Sequence, residues 1–291
     1  MSLSKTTLGN FELYTIETGD FKLDGGAMFG VVPKTLWSRG IPADENNRIQ
    51  MTMRCLLIKS KNTGKLYLID NGLGTKFTDK LMKIYQVDLS NHSMEKSFKE
   101  HGFSFDDVTD VIFTHLHFDH CGGTSFIDEN GNSQFTFPNA EYHVTKSHWE
   151  TATNPNAREK ASFLPENINP LKETDALNLI DDNHEFEEGF STIIVNGHTI
   201  GQQLPLIEGD GRKICFVADL LPTHVHVPLP WVMGYDMYPA ETLKEKENFL
   251  KRAIEEDLHL YLEHDYYKEI IKLSSEYGKY SVAETLLLNE V

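Results

Sequence analysis

Cysteine, long apolar runs and positive charge are all in short supply here, and each shortage removes a class of protein. The three cysteines, Cys55, Cys121 and Cys215, are widely spaced and odd in number. A disulfide framework is therefore not expected, and a reducing compartment, the cytoplasm, is the expected location. No uncharged apolar stretch approaches the roughly 20 residues that a membrane-spanning helix needs. The N-terminal residues MSLSKTTLGNFELYTIETG also lack the apolar segment of a secretory signal. Met1-Ser2-Leu3 reads as well as a vector remnant, which leaves a native leader open. Basic residues number 27 against 44 acidic ones, a formal net charge of −17. That balance argues against a nucleic-acid backbone or an anionic membrane as partner. Repeats, low-complexity tracts and long Pro/Gly/Ser linkers are missing too, so one domain over residues 1–291 is expected.

What is present suffices for a substantial core: 40% of the 291 residues are apolar and 11% aromatic. The motifs cluster at the ends of short β-rich runs. Residues 108–113 (VTDVIF) follow an expected helix at 93–100 and run into Thr114-His115-Leu116-His117-Phe118-Asp119-His120-Cys121-Gly122-Gly123. Runs at 191–195, 214–218 and 258–262 end in the same way, at Asn196-Gly197-His198, Asp219 and Glu263-His264. Further strands are expected at 11–17, 51–59 and 66–69, the last ending in the turn Asp70-Asn71-Gly72-Leu73-Gly74. A helix at 240–257 presents Leu243, Phe249, Leu250, Ala253 and Ile254 on one face. Residues 151–182, rich in Asn and Pro, are too long for an ordinary connection and read as a lid or helical insertion.

Three imidazoles and a carboxylate lie within the six residues from His115 to His120. That mixture suits zinc and similar first-row ions, whereas all-oxygen sites suit calcium or magnesium. His115 and His117, two apart, can point the same way, while Asp119 and His120 can face a second ion. His198, Asp219 and His264 would complete two coordination shells. Asp219 is suited to bridge because a carboxylate has two oxygens. His92, His101, His143, His148, His184 and His259 lack partner spacing and read as surface or packing residues. Cys121 reads as a small residue before a tight turn.

With Gly197-His198-Thr199, Ala218-Asp219 and His264, this set resembles the signature of the metallo-β-lactamase-fold hydrolases. The resemblance implies an α/β fold, a four-layer αβ/βα sandwich with a dinuclear centre between its sheets. His115, His117 and His198 would hold one metal, Asp119, His120 and His264 the other, with Asp219 shared and Asp70 orienting the ligand loop from behind. Zinc is the expected metal, with manganese or iron as alternatives. Asp119 and Asp219 would serve catalysis as well as ligation. The expected reaction is attack by a metal-bridging hydroxide on an ester, lactone or phosphotriester of a small molecule.

Within that family the chain looks most like the N-acyl homoserine lactonases and methyl parathion hydrolase, on His-Phe-Asp-His-Cys-Gly-Gly and the run from Asp219 to Trp231. Those lactonases carry a tyrosine shortly after the shared aspartate, where this chain has Leu220, Leu221, Pro222 and Thr223. His224, His226, Tyr235 or Tyr238 are the substitutes available. Phe29, His224, His226, Trp231 and Tyr235 are the expected substrate-pocket residues. The alternatives are a mononuclear iron persulfide dioxygenase-like oxidoreductase and a glyoxalase II-like thioesterase, although 240–291 lacks the basic character that the latter implies. A homodimer stays open as the assembly.

Overall fold

Alternation along the strands builds two apolar faces and hence two layers of core. The computed structural model describes residues 4–291, so the reading of Met1-Ser2-Leu3 lies outside it. The first of two seven-stranded sheets contains β1 (Lys5–Leu8), β2 (Phe11–Asp24), β3 (Arg48–Ser60), β4 (Leu66–Ile69) and β5 (Asp110–Ile112). A separate hairpin follows, β6 (Ser125–Ile127) with β7 (Ser133–Phe135), before β8 (Glu141–Thr145) and β9 (Leu177–Ile180) complete that sheet. The second sheet takes, in order, β10 (Glu185–Glu187), β11 (Phe190–Val195), β12 (Gln202–Gly209), β13 (Arg212–Phe216), β14 (His259–Tyr261), β15 (Ile270–Glu276) and β16 (Lys279–Leu286).

In β3, Leu56 and Ile58 face the second sheet, where they join Phe190, Leu204, Leu206, Phe216 and Leu260. Cys55 and Leu57 point the other way, onto a cluster that includes Phe98, Leu171 and Ile168 of the outer helices. This is the period of two that a strand buried on both faces requires. Helix Pro239–Glu255 covers the second sheet through Phe249, Leu250 and Ala253. The result is the four-layer αβ/βα sandwich.

The expected elements recur with shifted ends. Helix Met94–His101 is capped by the Ser93 side chain, and Gly102 ends it at φ 79°. Leu243 departs from its expected face. It is 39% exposed, while Thr242 and Lys246 turn inward instead. Thr242 packs against Gly197, where a Cβ would stand 2.3 Å from the Thr242 nitrogen. Bare glycine before His198 thus lets the helix approach. The 151–182 segment divides: helix Pro165–Lys172 and β9 belong to the layers, and the stretch between Asn154 and Leu164 passes over the site.

Strand direction decides where the ligands meet. β4, β5, β8 and β9 run parallel, as do β13 and β14, while β11 and β13 both lie antiparallel to β12. The C-terminal ends that carry Asp70, His115, His198, Asp219 and His264 therefore open on one edge of the sandwich.

Candidate metal centre

Five histidines reach this edge, and each turns one ring nitrogen toward a partner behind it, which leaves the other facing the site, with a bare lone pair whenever the ring is neutral. His115 Nδ1 donates to Thr114 Oγ1 at 3.0 Å, and that hydroxyl in turn donates to Asp70 Oδ2 at 2.6 Å. His120 Nδ1 donates to the other side of the same carboxylate oxygen, Asp70 Oδ2, at 3.0 Å. His198 Nδ1 donates to Asp236 Oδ1 at 3.0 Å, and His264 Nδ1 to the Thr52 carbonyl at 3.0 Å. His117 is oriented oppositely: its Nε2 lies 3.4 Å from Glu159 Oε1, within ion-pair reach but off the hydrogen-bonding line, and its Nδ1 faces the site.

The freed nitrogens converge. His117 Nδ1 is 3.0 Å from His115 Nε2 and 3.2 Å from His198 Nε2, and His120 Nε2 is 3.1 Å from His264 Nε2. Lone pairs brought this close repel unless a cation sits among them. Tetrahedral ligands at ~2.0–2.1 Å from zinc stand roughly 3.3 Å apart, so the spacing suits a shared ion. Asp219 spans both groups, with Oδ2 3.1 Å from His198 Nε2 and Oδ1 3.2 Å from His264 Nε2, yet Oδ1 has no hydrogen-bond partner. Asp119 Oδ2 lies 3.9 Å from His120 Nε2 and 3.8 Å from His264 Nε2. Two clusters of ligating atoms result, His115, His117, His198 with Asp219, and Asp119, His120 with His264. The residues present fit two divalent ions.

The charges around these groups follow from burial and pairing. Burial works against protonated His198, but the Asp219 and Asp236 carboxylates outweigh it and push its pKa up to about 10. His264 is raised to about 9, again against burial, chiefly by Asp219. Burial and the neighbouring imidazoles hold His115 well below the ordinary value. Asp219 is held well below the usual carboxylate range: burial opposes this, and His198 and His264 overcome it. Asp70 and Ala218 both adopt positive φ, 55° and 40°, a conformation that L-residues hold only where surrounding structure enforces it.

Asp70 sits where the sequence suggests, fully buried behind Thr114 and His120. Glu159, Asp236 and Glu263 are the residues that sequence reasoning missed. Their partners are distant in the chain, and no local spacing signals them. Glu263 Oε2 lies 3.0 Å from His120 Nδ1 but off its axis, so Asp70 takes the hydrogen bond. Burial pushes Glu263 up to about 7. His148, read as a packing residue, instead holds the loop between His115 and His117, because its Nε2 accepts from the Leu116 amide at 2.8 Å. Glu159→Gln should keep the size and the Thr199 contact while losing the charge behind His117. Metal affinity measured by chelator competition is expected to fall about 10–100-fold; unchanged affinity would remove Glu159 from that role.

A cavity of about 300 Å³ opens over the ligands, lined by Met28, Met51, Tyr85, Phe118, Met233 and Tyr235 among others. Of the expected pocket residues, Tyr235 alone lines it. Phe29 and His226 stack at 4.4 Å behind the wall, with Trp231 edge-on to Phe29, and His226 Nε2 donates to the Met28 carbonyl at 2.9 Å. They position Met28 rather than meet a ligand. His224 pairs with Asp265, and Tyr238 opens the helix at Pro239. Aromatic bulk placed Phe29 and His226 in the core, where they bury most area, while Tyr238 stays exposed.

Comparison with solved structures places the whole chain. A probable metal-dependent hydrolase from Staphylococcus aureus is 29% identical, with a TM-score of 0.86 over 97% of this chain and 98% of that one. AidC, a dizinc quorum-quenching lactonase solved with its N-hexanoyl-L-homoserine product, is 23% identical, with a TM-score of 0.80 over 98% of both chains. AbOPH, a hydrolase in the β-lactamase superfamily, is 20% identical, with a TM-score of 0.77 over 96% of both. The metallo-β-lactamase superfamily domain matches residues 54–264, from β3 to the last histidine of the centre, and the chain belongs to that superfamily.

Proposed function

We propose that this protein is a metal-dependent hydrolase that cleaves an ester, lactone or phosphotriester bond of a small molecule at a two-ion centre. The observation that carries the reading is the pair of facing, bare imidazole nitrogens of His120 and His264, beside Asp119 and the unpartnered Asp219 Oδ1. When bound, two such ions acidify water near neutral pH and polarise a carbonyl or phosphoryl oxygen. The protein's own groups hold the water beside the acyl carbon or phosphorus and exclude bulk solvent. Asp119, at the floor of the cavity, is placed to take up a proton as water adds across the bond, while Asp219, with one oxygen toward each cluster, would hold both ions. Tyr235 is the tyrosine nearest in role to the one the lactonases carry, and its hydroxyl stays protonated because burial raises its pKa.

The test is elemental analysis of the purified chain together with turnover of aryl esters, lactones and a phosphotriester. About two zinc or manganese per chain with hydrolysis is the expected result. About one iron per chain with oxygen consumption and no hydrolysis would overturn it.

A further inference from the structure

Arg158 is the one Lys or Arg among the described residues that line the cavity over the ligands. In a chain with 44 acidic residues it has no carboxylate within ion-pair distance among the described residues. Its position is nonetheless fixed. Nη2 donates to the Gly234 carbonyl and lies 3.5 Å from the Asp236 carbonyl, tying the stretch over the site to the turn that carries Met233 and Tyr235. Only Nη2 is used for this, so Nε and Nη1 keep their protons without a protein acceptor among the described residues. The next residue, Glu159, turns inward to His117 and Thr199 and is already engaged. Arg158 is exposed, whereas Glu159 is buried, so the guanidinium stands at the rim and the ligands lie at the floor. Between them the wall is apolar and rich in methionine, Met28, Met51, Met233 and Met237, a lining that adapts to chains of differing shape.

We infer that Arg158 recognises a carboxylate at the end of the substrate remote from the scissile bond. The substrate class is then an ester or lactone with an apolar spacer and an anionic terminus, not a neutral acyl chain. This rests on the hydrolase reading and narrows it. A guanidinium held by backbone carbonyls with free N–H groups is preorganised for a planar oxyanion, and little entropy is lost when the pair forms. A monoanion is favoured over a phosphate dianion because one cation is available and the Glu159 carboxylate adjoins it.

The experiment compares monophenyl adipate with phenyl hexanoate, which share an apolar spacer and a leaving group and differ in the terminal carboxylate. The wild-type holoenzyme should favour the adipate by about tenfold in kcat/KM, an advantage that shrinks as salt rises. In Arg158→Met that ratio should collapse toward one, and in Arg158→Lys it should be partly retained. Equal treatment of the two esters by the wild type, or a ratio that survives in Arg158→Met while both rates fall together, would overturn the inference and leave Arg158 as a tether between loops. A phosphonate-tailed ester preferred over the adipate would overturn the choice of a monoanion. The uncleaved anilides of the same two acids, titrated calorimetrically into the metal-loaded protein, read the same contrast as binding. Should no ester, lactone or phosphotriester be hydrolysed, the hydrolase reading fails, while tighter binding of the adipic anilide, lost in Arg158→Met, still supports the role of Arg158. Equal binding of the anilides overturns it.

Discussion

Replacing Asp219 with alanine is expected to lower metal content from about two ions per chain to one or none and to cut hydrolysis by at least about 10²–10³-fold, the loss that follows removal of one preorganised electrostatic group. Asp219 is the side chain that touches both clusters, within 3.1 Å of His198 and 3.2 Å of His264. It also stands 3.9 Å from His115 and 3.8 Å from His120. Without it each ion loses an anionic oxygen, and two divalent charges held near one another lose the negative charge between them. Alanine could also loosen the fold, because Ala218 already holds a positive φ at this corner. Asp219→Asn separates the two effects. It keeps the shape and one acceptor oxygen, so it should melt near the wild-type temperature in the metal-free form while binding the second ion poorly. An asparagine variant that retained both ions and full turnover would remove the bridging role.

Stripping the metal should leave a protein whose stability falls as pH rises, the reverse of the metal-loaded form. In the metal-free chain His198 and His264 gain Asp219 as partner and titrate at about 10 and about 9, against about 6.5 in the unfolded chain. Between those values the folded state binds more protons than the unfolded one. Stability from these pairs is fully present below about pH 6.5 and is lost as pH climbs through the folded values. Glu263, raised to about 7, adds to the same slope at its lower end. His148 and His226, which burial pushes down to about 3, act oppositely and cost stability as pH falls below about 6.5. Metal binding needs bare imidazoles and strengthens with pH. The melting-temperature gap between loaded and chelator-treated protein should therefore widen from about pH 6.5 to about pH 9, read by calorimetry at several pH values. A gap that stayed constant or narrowed would mean that Asp219 does not pair with these histidines in the metal-free state.

The side chains that converge on the candidate centre were legible in the chain because metal chemistry demands side chains of two types in tight local spacing. His115, His117, Asp119 and His120 satisfy that within one loop, and His198, Asp219 and His264 each end a β-rich run. The short β-rich run Leu66–Ile69, ending at a Gly-bracketed turn, likewise made β4 readable, and Ser93 and Gly102 marked the ends of the helix at Met94–His101. Apart from Asp70, the groups behind these residues were not legible. Asp236 meets His198 across 38 residues and Glu159 meets Thr199 across 40, and neither acid differs in local context from a solvated surface acid. The pocket misled for a related reason: Phe29, His226 and Trp231 have the composition of a binding site, yet burial drew them into an aromatic stack behind Met28. The sequence by itself thus determined which residues could hold the ions and that strands would carry them, since both follow from local spacing. The tertiary structure alone decided which loops cross over the centre, and so placed Glu159 against His117 and Arg158 at the rim, because such contacts depend on strand direction and packing rather than on neighbours in the chain.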